Sequence, residues 1–248
     1  MPWWFDHLGG ARWLLLDLHE EECAGCGGVE AVGDGFVAKR RNRPQKTGFC
    51  SSRTVYGKPR EIPVPESHPV APQSIYAVHK LALEHYLSVL RHTRGMPFLV
   101  VRLSNVYGPF TFDQDKSYGV FSPYIHQAQQ GETLRVFGDG TQVRDFIFIR
   151  DAIDCFLRLA THPDAANEIV NLDGPESVTL ANAVQCLLGQ CPAAKVEHET
   201  WPKEYQAIET GDYKTDLSKL QSLLGEPPGT TVMQGIEETL EAYRDTRR

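Results

Sequence analysis

The sequence predicts an α/β fold, with a parallel sheet followed by a smaller and more irregular α/β lobe. From Thr47 onward, strand-like and helix-like segments alternate at the spacing that is typical of a parallel sheet with helical crossovers. Of the 248 residues, 41% are hydrophobic and 23% are charged, which is ordinary for a globular protein. No apolar run approaches the ~18 residues of a membrane-spanning helix, so the sequence excludes a helical membrane protein.

The first part of the predicted sheet contains a strand, a helix and a second strand. Gly48–Ser52 is predicted to form a short strand, and the apolar run Pro97–Leu103 a buried one. The segment Tyr76–Thr93 is predicted to be a helix that ends at Gly95, because apolar residues recur there at helical spacing: Leu81, Leu83, Tyr86, Leu87 and Leu90.

The second part mixes helices and strands in irregular order. Asp151 and Thr179 are predicted to cap helices, because their side-chain oxygens can accept from the first free N–H groups. The predicted strands are Leu134–Phe137, Asp145–Ile149 and Asn167–Leu172, and the predicted helices are Ser122–Gln130, Asp151–Ala160, Thr179–Leu188, Asp216–Leu224 and Val232–Arg244.

Residues 1–46 show no sustained period of two or 3.6 residues and stay unassigned. The pair Cys23 and Cys26 has the spacing of half a zinc site, but no second such pair follows, and chance spacing is the favoured interpretation. The basic run at residues 39–43 lacks interleaved aromatic residues, which favours a solvated connector over a nucleic-acid patch. A zinc or nucleic-acid module on residues 1–47 is therefore the weakest hypothesis, and no metal site is predicted.

The net charge of −7 argues against nucleic acid or an anionic membrane surface as partners of the whole molecule. The apolar patch from Trp13 to Leu18 is too short for a signal peptide and is followed by acidic residues. We therefore expect the protein to lie in the cytoplasm. Six scattered cysteines do not form the dense framework of a disulfide-stabilised secreted domain.

Tyr76 and Lys80 are the first candidates for chemistry. Residues four apart on a helix lie on one face, so the ammonium of Lys80 can approach the phenol of Tyr76. A nearby cation favours the phenolate, and lowering a tyrosine pKa from near 10 by about three units takes roughly 4 kcal/mol. The alternative is an ordinary pair of exposed surface residues, since this spacing is common by chance.

Four further segments accompany this pair in a fixed order. They are Cys50–Gly57 (CSSRTVYG), Val101–Pro109 (VRLSNVYGP), Val136–Phe146 (VFGDGTQVRDF) and Glu209–Asp212 (ETGD). Together with the Tyr76–Lys80 pair, they resemble the nucleotide-sugar epimerase/dehydratase family of extended short-chain dehydrogenases, over about residues 47–245. The resemblance implies a Rossmann-like parallel sheet in residues 47–112 and a nucleotide-sugar-binding lobe, mainly in residues 113–248.

The resemblance also implies a catalytic set and a cofactor, NAD. Ser52 matches the residue whose hydroxyl bonds the sugar oxygen, Tyr76 matches the general acid/base, and Lys80 matches the residue that binds the nicotinamide ribose and tunes the tyrosine. Deprotonation of a sugar hydroxyl while hydride leaves its carbon gives a keto-sugar, which is consistent with those roles. Each residue also has an ordinary structural interpretation: a buried strand serine, an exposed helix tyrosine and a partly buried lysine.

Four more residues match the substrate-binding positions of the family. By this resemblance, Asn105 contacts the substrate diphosphate, Asp212 binds the nucleotide ribose, and Phe137 lies against the base. Arg144 matches an arginine whose planar fork suits a phosphate. The alternative for Arg144 is an exposed salt bridge with an acidic neighbour, either Asp145 or Asp151.

Two departures from the family pattern bear on the reaction. Dehydratases of the family carry Asp-Glu directly after the catalytic Ser/Thr, and decarboxylases keep the Glu, whereas this chain has Arg53 and Thr54. Epimerisation is therefore favoured over dehydration, which stays an alternative. At Glu209, where epimerases typically carry an arginine that binds the diphosphate, this chain has an acid.

The front of the chain departs most from the family. The glycines between residues 25 and 35 do not reproduce the spacing of a dinucleotide-binding turn, and no apolar strand leads into them. We therefore expect an incomplete Rossmann domain, weakened NAD binding and an open sheet edge beside the Gly48–Ser52 strand. A UDP-sugar substrate and a homodimer through the Tyr76–Thr93 helix follow from the resemblance, and a catalytically inactive sugar-nucleotide- or partner-binding protein is the rival hypothesis.

Overall fold

The computed structural model describes residues 29–32, 35–38, 46–109, 111 and 120–245. The strands in these ranges are β1 (Val29–Val32), β2 (Gly35–Ala38), β3 (Lys46–Ser52), β4 (Phe98–Leu103), β5 (Asn105–Tyr107), β6 (Thr133–Phe137), β7 (Val143–Phe148), β8 (Glu168–Leu172), β9 (Ser177–Thr179) and β10 (Lys195–Glu199). The helices are α1 (Ile75–Arg94), α2 (Ser122–Gln129), α3 (Ile149–Thr161), α4 (Leu180–Gln190), α5 (Lys203–Ile208), α6 (Ser218–Leu224) and α7 (Val232–Asp245).

The main sheet has the strand order β1-β2-β3-β4-β8, and its last three strands are parallel. Strand β4 is an apolar run that is buried almost throughout, as expected of a central parallel strand with both faces covered. Ser52 pairs with Leu103, and Leu103 pairs with Leu172, so the three strands end in register. The residues that follow them therefore share one edge of the sheet, and the predicted α/β fold with a parallel sheet is confirmed.

The edge of the sheet beside β3 is covered by a hairpin. Strand β2 pairs with β3 in antiparallel register, and β1 pairs with β2 in the same way. The expectation of an open edge at β3 is therefore wrong, because the weakly patterned segments Val29–Val32 and Gly35–Ala38 form two short strands, of which β2 satisfies the backbone groups of β3. The predictions made for Cys23, Cys26 and residues 39–43 fall outside the described residues.

Helix α1 begins and ends where capping chemistry predicts. The hydroxyl of Ser74 accepts from the N–H of Ala77 at 3.2 Å, and Gly95 ends the helix in the left-handed conformation with φ of 69°. The predicted helix at Tyr76–Thr93 is therefore confirmed to within a residue at each end. Its buried face carries two ionisable side chains, Lys80 and Glu84, which need partners inside the protein.

Glu84 finds its partner on β4, in a buried ion pair with Arg102. The two side chains are each about 5% exposed, and they are joined by bonds of 3.1 Å from Nε to Oε1 and 2.6 Å from Nη2 to Oε2. The hydroxyl of Ser51 donates to Oε1 as well, and the guanidinium lies 4.7 Å from the ring centroid of Tyr56. Burial alone would lower the pKa of Arg102, but Glu84 and Tyr56 together raise it.

The second part of the chain packs around an aromatic core between α2, α4, α7 and the strand β7. Strands β5, β7 and β9 form one small sheet, and β6 pairs in parallel with β10. The core is centred on Tyr107, which contacts Phe121, Phe146 and Phe148 at centroid distances of 5.6 to 6.3 Å. Strand β8 lies in this second part of the chain but pairs with β4 of the main sheet. The predicted boundary between two domains at residues 112 and 113 stays a prediction.

Most predicted elements are present, and two details need correction. Asp151 does not cap α3: the helix begins at Ile149, and Asp151 lies in its first turn, where it accepts from the backbone N–H of Thr230 at 2.9 Å. The helix Asp216–Leu224 begins at Ser218 instead. Thr179 does cap α4, by accepting from the N–H of Asn182 at 3.1 Å. Among the described residues, no helix is long and apolar enough to cross a membrane.

The buried ion pair predicts a large loss of stability when one partner is neutralised. Glu84→Gln keeps the size of the side chain but leaves the charge of Arg102 unpaired in the interior, so we expect the free energy of unfolding to fall by about 3–5 kcal/mol. Urea denaturation measures this. Asp154→Asn, which changes an exposed pair with Arg158, is the matched control and should change stability by less than about 0.5 kcal/mol. Equal stability of the two variants would contradict the account.

Candidate active site

Ser52 lies at the carboxyl end of β3, the edge at which open α/β sheets bind ligands. It is buried, and its hydroxyl oxygen accepts from the N–H of Thr54 at 3.2 Å and from the Thr54 hydroxyl at 2.9 Å. These two bonds fix the position of the oxygen at the start of the short 3-10 helix Arg53–Tyr56. Because both bonds use the oxygen as acceptor, the Ser52 proton is left to donate to another group.

Lys80 and Tyr76 are brought together as the spacing predicts. The ammonium of Lys80 lies 5.5 Å from the centroid of the Tyr76 ring, and it donates to the carbonyl of Cys50 at 2.9 Å. Cys50 is two residues before Ser52 on the same strand, so this bond joins the helix to the serine strand. Lys80 is buried, whereas Tyr76 is 50% exposed and therefore accessible to a bound molecule.

Asn105 and Arg144 are both buried, and both bond within the protein. The amide of Asn105 donates to the carbonyl of Asp145 at 2.7 Å. Arg144 donates to the carbonyls of Val143 and Gly211 at 2.8 and 2.7 Å, and its Nη2 pairs with Glu209. The alternative that Arg144 forms an exposed salt bridge with Asp145 or Asp151 is therefore wrong in both its partner and its exposure.

Asp212 lines a cleft of about 410 Å³, and Phe137 packs against Trp201, one of the other residues of the lining. The carboxylate of Asp212 accepts from the N–H of Val143 at 2.8 Å and lines this cleft, together with Lys58, Asp139, Thr141, Trp201 and Glu209. The ring of Phe137 lies 5.5 Å from that of Trp201 and 5.6 Å from that of Tyr205. The volume is in the range of small-molecule sites, and the lining combines the Trp201 ring with carboxylate and amide groups.

Two groups near this edge were missed by sequence reasoning. Asp173, directly after β8, is fully buried and accepts from the hydroxyls of Ser104 and Thr215 and from the N–H of Gly174 at 2.7 Å. Burial and the neighbouring Asp145 carboxyl raise the pKa of Asp173 well above its usual range. No pattern in the sequence marks Asp173, since it only ends a predicted strand.

The other missed group is the side chain of Arg53, which the sequence marked only as a departure from a motif. Its guanidinium lies 4.6 Å from the ring centroid of Tyr213 and donates to the hydroxyl of Thr210 at 3.3 Å. Burial, followed by the charge of Arg144, lowers its pKa, and nearby acids offset part of this effect. Among the described residues, no group of three or more His, Cys, Asp or Glu side chains is placed to bind a metal ion.

Comparison with known proteins identifies relatives of this arrangement. The model of the NAD dependent epimerase/dehydratase family matches residues 36–173. A dTDP-glucose 4,6-dehydratase from Xanthomonas campestris is 32% identical over 225 residues, which cover 87% of this chain and 63% of that protein. A UDP-glucose 4-epimerase from Mycolicibacterium smegmatis is 30% identical over 195 residues, with coverages of 79% and 61%. The chain thus spans about three fifths of the length of these curated relatives.

Comparison with solved structures identifies members of the same family. The crystal structure of a UDP-glucose 4-epimerase from Thermotoga maritima with UDP-glucose has a TM-score of 0.74 and 26% sequence identity to this chain. The matched region covers 82% of this chain and 64% of the Thermotoga protein in that structure.

The buried Asp173 predicts a pH dependence of stability. An unfolded aspartate loses its proton near pH 4, whereas the folded protein retains this proton to higher pH. Between the two pKa values the folded state binds more protons, so the free energy of unfolding falls as pH rises. In urea denaturation between about pH 5 and pH 8, Asp173→Asn should flatten this decline.

Asp216→Asn is the control for this experiment. Hydrogen bonds from the hydroxyl and the N–H of Ser218 lower the pKa of Asp216, so it titrates below this pH window and the decline should remain. A decline that is as steep in Asp173→Asn as in the wild-type protein would contradict the assignment.

Proposed function

Because the chain belongs to the NAD dependent epimerase/dehydratase family, we propose that it is a nucleotide-sugar epimerase similar to UDP-glucose 4-epimerase. The observation that carries the proposal is the placement of Lys80 beside the Tyr76 ring by a bond to the serine strand, two residues before Ser52. This arrangement supplies a base, a cation that favours its ionised form, and a hydroxyl that can donate to the sugar oxygen.

The proposed reaction passes through a keto-sugar. Tyr76 takes the proton of a sugar hydroxyl, and Ser52 donates a hydrogen bond to the same oxygen. A bound NAD would supply the redox chemistry, namely acceptance of hydride from the carbon that bears this hydroxyl and its return to the opposite face. Tyr76 then returns its proton to the oxygen, so the sugar leaves with an inverted centre and no net oxidation.

The residues present fit one half of the cofactor. Lys80 and Tyr76 lie side by side at the ligand-binding edge of the sheet, where they can bind the hydroxyls of the nicotinamide ribose. Beside β3, the described residues provide an antiparallel hairpin, and we assign none of them to the pyrophosphate. We therefore expect weak NAD binding by this chain, since a helix N-terminus normally supplies the donors for that group.

The reaction is proposed to be epimerisation because of Arg53 and Thr54. A dehydratase needs a carboxyl pair to remove a proton and deliver it to the leaving hydroxyl, and neither position offers one. Dehydration remains the second candidate, since the Xanthomonas dehydratase is as similar to this chain as the epimerases are. Incubation with UDP-glucose and NAD separates the two reactions, because only dehydration gives a stable 4-keto-6-deoxy product.

The nucleotide is proposed to occupy the cleft beside Asp212. Phe137 would lie against the base, Asp212 would bind the ribose, and Asn105 and Arg144 would face the diphosphate after exchanging one of their present partners. A UDP-sugar is the expected substrate. The rival hypothesis is an inactive sugar-nucleotide-binding protein with this same cleft.

Two further expectations concern the whole molecule. Helix α1 presents exposed apolar side chains at Val78, Tyr86 and Val89, which supports a homodimer through this helix. The cytoplasmic location stays a prediction.

Tyr76→Phe tests the catalytic proposal. The variant keeps the ring but has no proton to exchange, so turnover of UDP-galactose should fall at least about 1,000-fold while UDP affinity stays within about twofold. Proton NMR of the sugar anomeric signals and titration calorimetry measure the two quantities. Tyr86→Phe, on the exposed face of the same helix, is the matched control and should retain full turnover. Full activity of Tyr76→Phe would remove the family mechanism from this chain.

A further inference from the structure

Arg53 is a buried cation whose hydrogen-bonding capacity is mostly unused. The residue is only 8% exposed, and its one hydrogen bond to a described residue is the 3.3 Å contact of Nη1 with Thr210. A guanidinium carries five N–H donors, and a buried cation is normally paired or fully bonded.

The remaining donors of Arg53 are not fully enclosed by the protein. In the described part of the chain, the fully buried polar side-chain atoms without a partner belong to Arg102, Asp145 and Tyr213. Nε and Nη2 of Arg53 are not among them, so they retain access to solvent from within a largely buried side chain. The flat face of the group is occupied by the Tyr213 ring, which leaves the edge to bind a ligand.

Arg53 lies near the positions proposed for both ends of the substrate, the sugar and the nucleoside. Its backbone directly follows Ser52, which would bond the sugar, and its side chain contacts Thr210, the neighbour of Glu209 on the wall of the nucleotide cleft. The diphosphate of a nucleotide sugar connects these two ends. Arg53 therefore lies between the groups that would bind the sugar and those that would bind the nucleoside.

Arg144, another cation near this cleft, is already neutralised. Arg144 is bonded to Glu209 and to two backbone carbonyls, so a phosphate would have to displace one of these acceptors. Arg53 has no such competitor on Nε or Nη2. A planar fork with two adjacent free donors is the arrangement that binds phosphate in a bidentate manner.

We propose that Arg53 binds the sugar-side phosphate of the nucleotide diphosphate and supplies the contact that an acid at position 209 cannot make. This inference rests on the proposed function, since it assumes a nucleotide sugar in the cleft. It makes Arg53 a substrate-binding residue, and it gives a reason for an arginine directly after the catalytic serine.

Titration calorimetry of the full chain with UDP and UMP tests this inference, because UMP lacks the second phosphate. Arg53→Gln should weaken UDP binding by about 10- to 100-fold, the range expected for losing charge-assisted bonds. UMP affinity should change by less than about threefold. Arg53→Lys, which keeps the charge and the aliphatic stem without the fork, should fold normally and lose about 3- to 10-fold for UDP alone.

Arg150→Gln is the matched control, since it removes the same charge from an exposed pair with Glu238 on the last helix and should leave both affinities unchanged. If the wild-type protein binds UDP and Arg53→Gln binds it equally well, the Arg53 inference is wrong while the proposed function stands. Equal losses of affinity for UDP and UMP would also overturn it. So would a loss of affinity seen only when UDP-glucuronate is the ligand, because Arg53 would then bind the sugar carboxylate and not the phosphate. Failure of the wild-type protein to bind UDP would instead remove the proposed function.

Discussion

The buried ion pair between Glu84 and Arg102 is the interaction on which the rest of the candidate site depends. It joins α1 to the central strand β4, and through Ser51 it also contacts the strand that carries Ser52. Lys80 lies one helical turn before Glu84, so the pairing that fixes Glu84 also fixes where the lysine ammonium meets β3. The helix is thus placed by polar contacts of defined geometry, whereas apolar contacts alone would tolerate sliding.

A second polar network arranges the loop that borders the cleft beside Asp212. The backbone of Val143 donates to Asp212 and accepts from Tyr213 and from the Arg144 side chain. Arg144 also bonds Gly211 and Glu209, so the start of β7 organises the loop from residue 209 to 213. A loop bound in this way presents a preformed wall to a ligand, which lowers the entropic cost of binding.

The parts of the fold that the sequence predicted are those that local physics determines. Helix α1 has strong periodicity and capping residues, strand β4 is a continuous apolar run, and both lie within about a residue of their predicted bounds. Strands β5 and β9 have only three residues each, too few to establish a period. Strands β1 and β2 are placed by the pairing of β2 with β3, which a local sequence pattern does not predict.

The hydrogen-bonding partners of the buried arginines could not be predicted from sequence patterns either, because these contacts depend on packing between distant segments. Arg144 meets Glu209 across 65 residues, and Arg53 meets Thr210 across 157. Motif resemblance selects Ser52, Tyr76 and Lys80 as candidates, and the spacing of Tyr76 and Lys80 correctly predicts that the two side chains lie together on one helix. It did not find the Arg53 side chain, whose position departs from the motif.

The central claim is that Ser52, Tyr76 and Lys80 form a working hydride-transfer site in this chain. Its most direct test is proton NMR of UDP-galactose incubated with the purified full chain and millimolar NAD. The account predicts conversion to UDP-glucose that requires the added NAD, since the cofactor should bind weakly. A protein that binds UDP in the cleft yet converts none of the sugar at saturating NAD would contradict the claim and identify a binding protein instead.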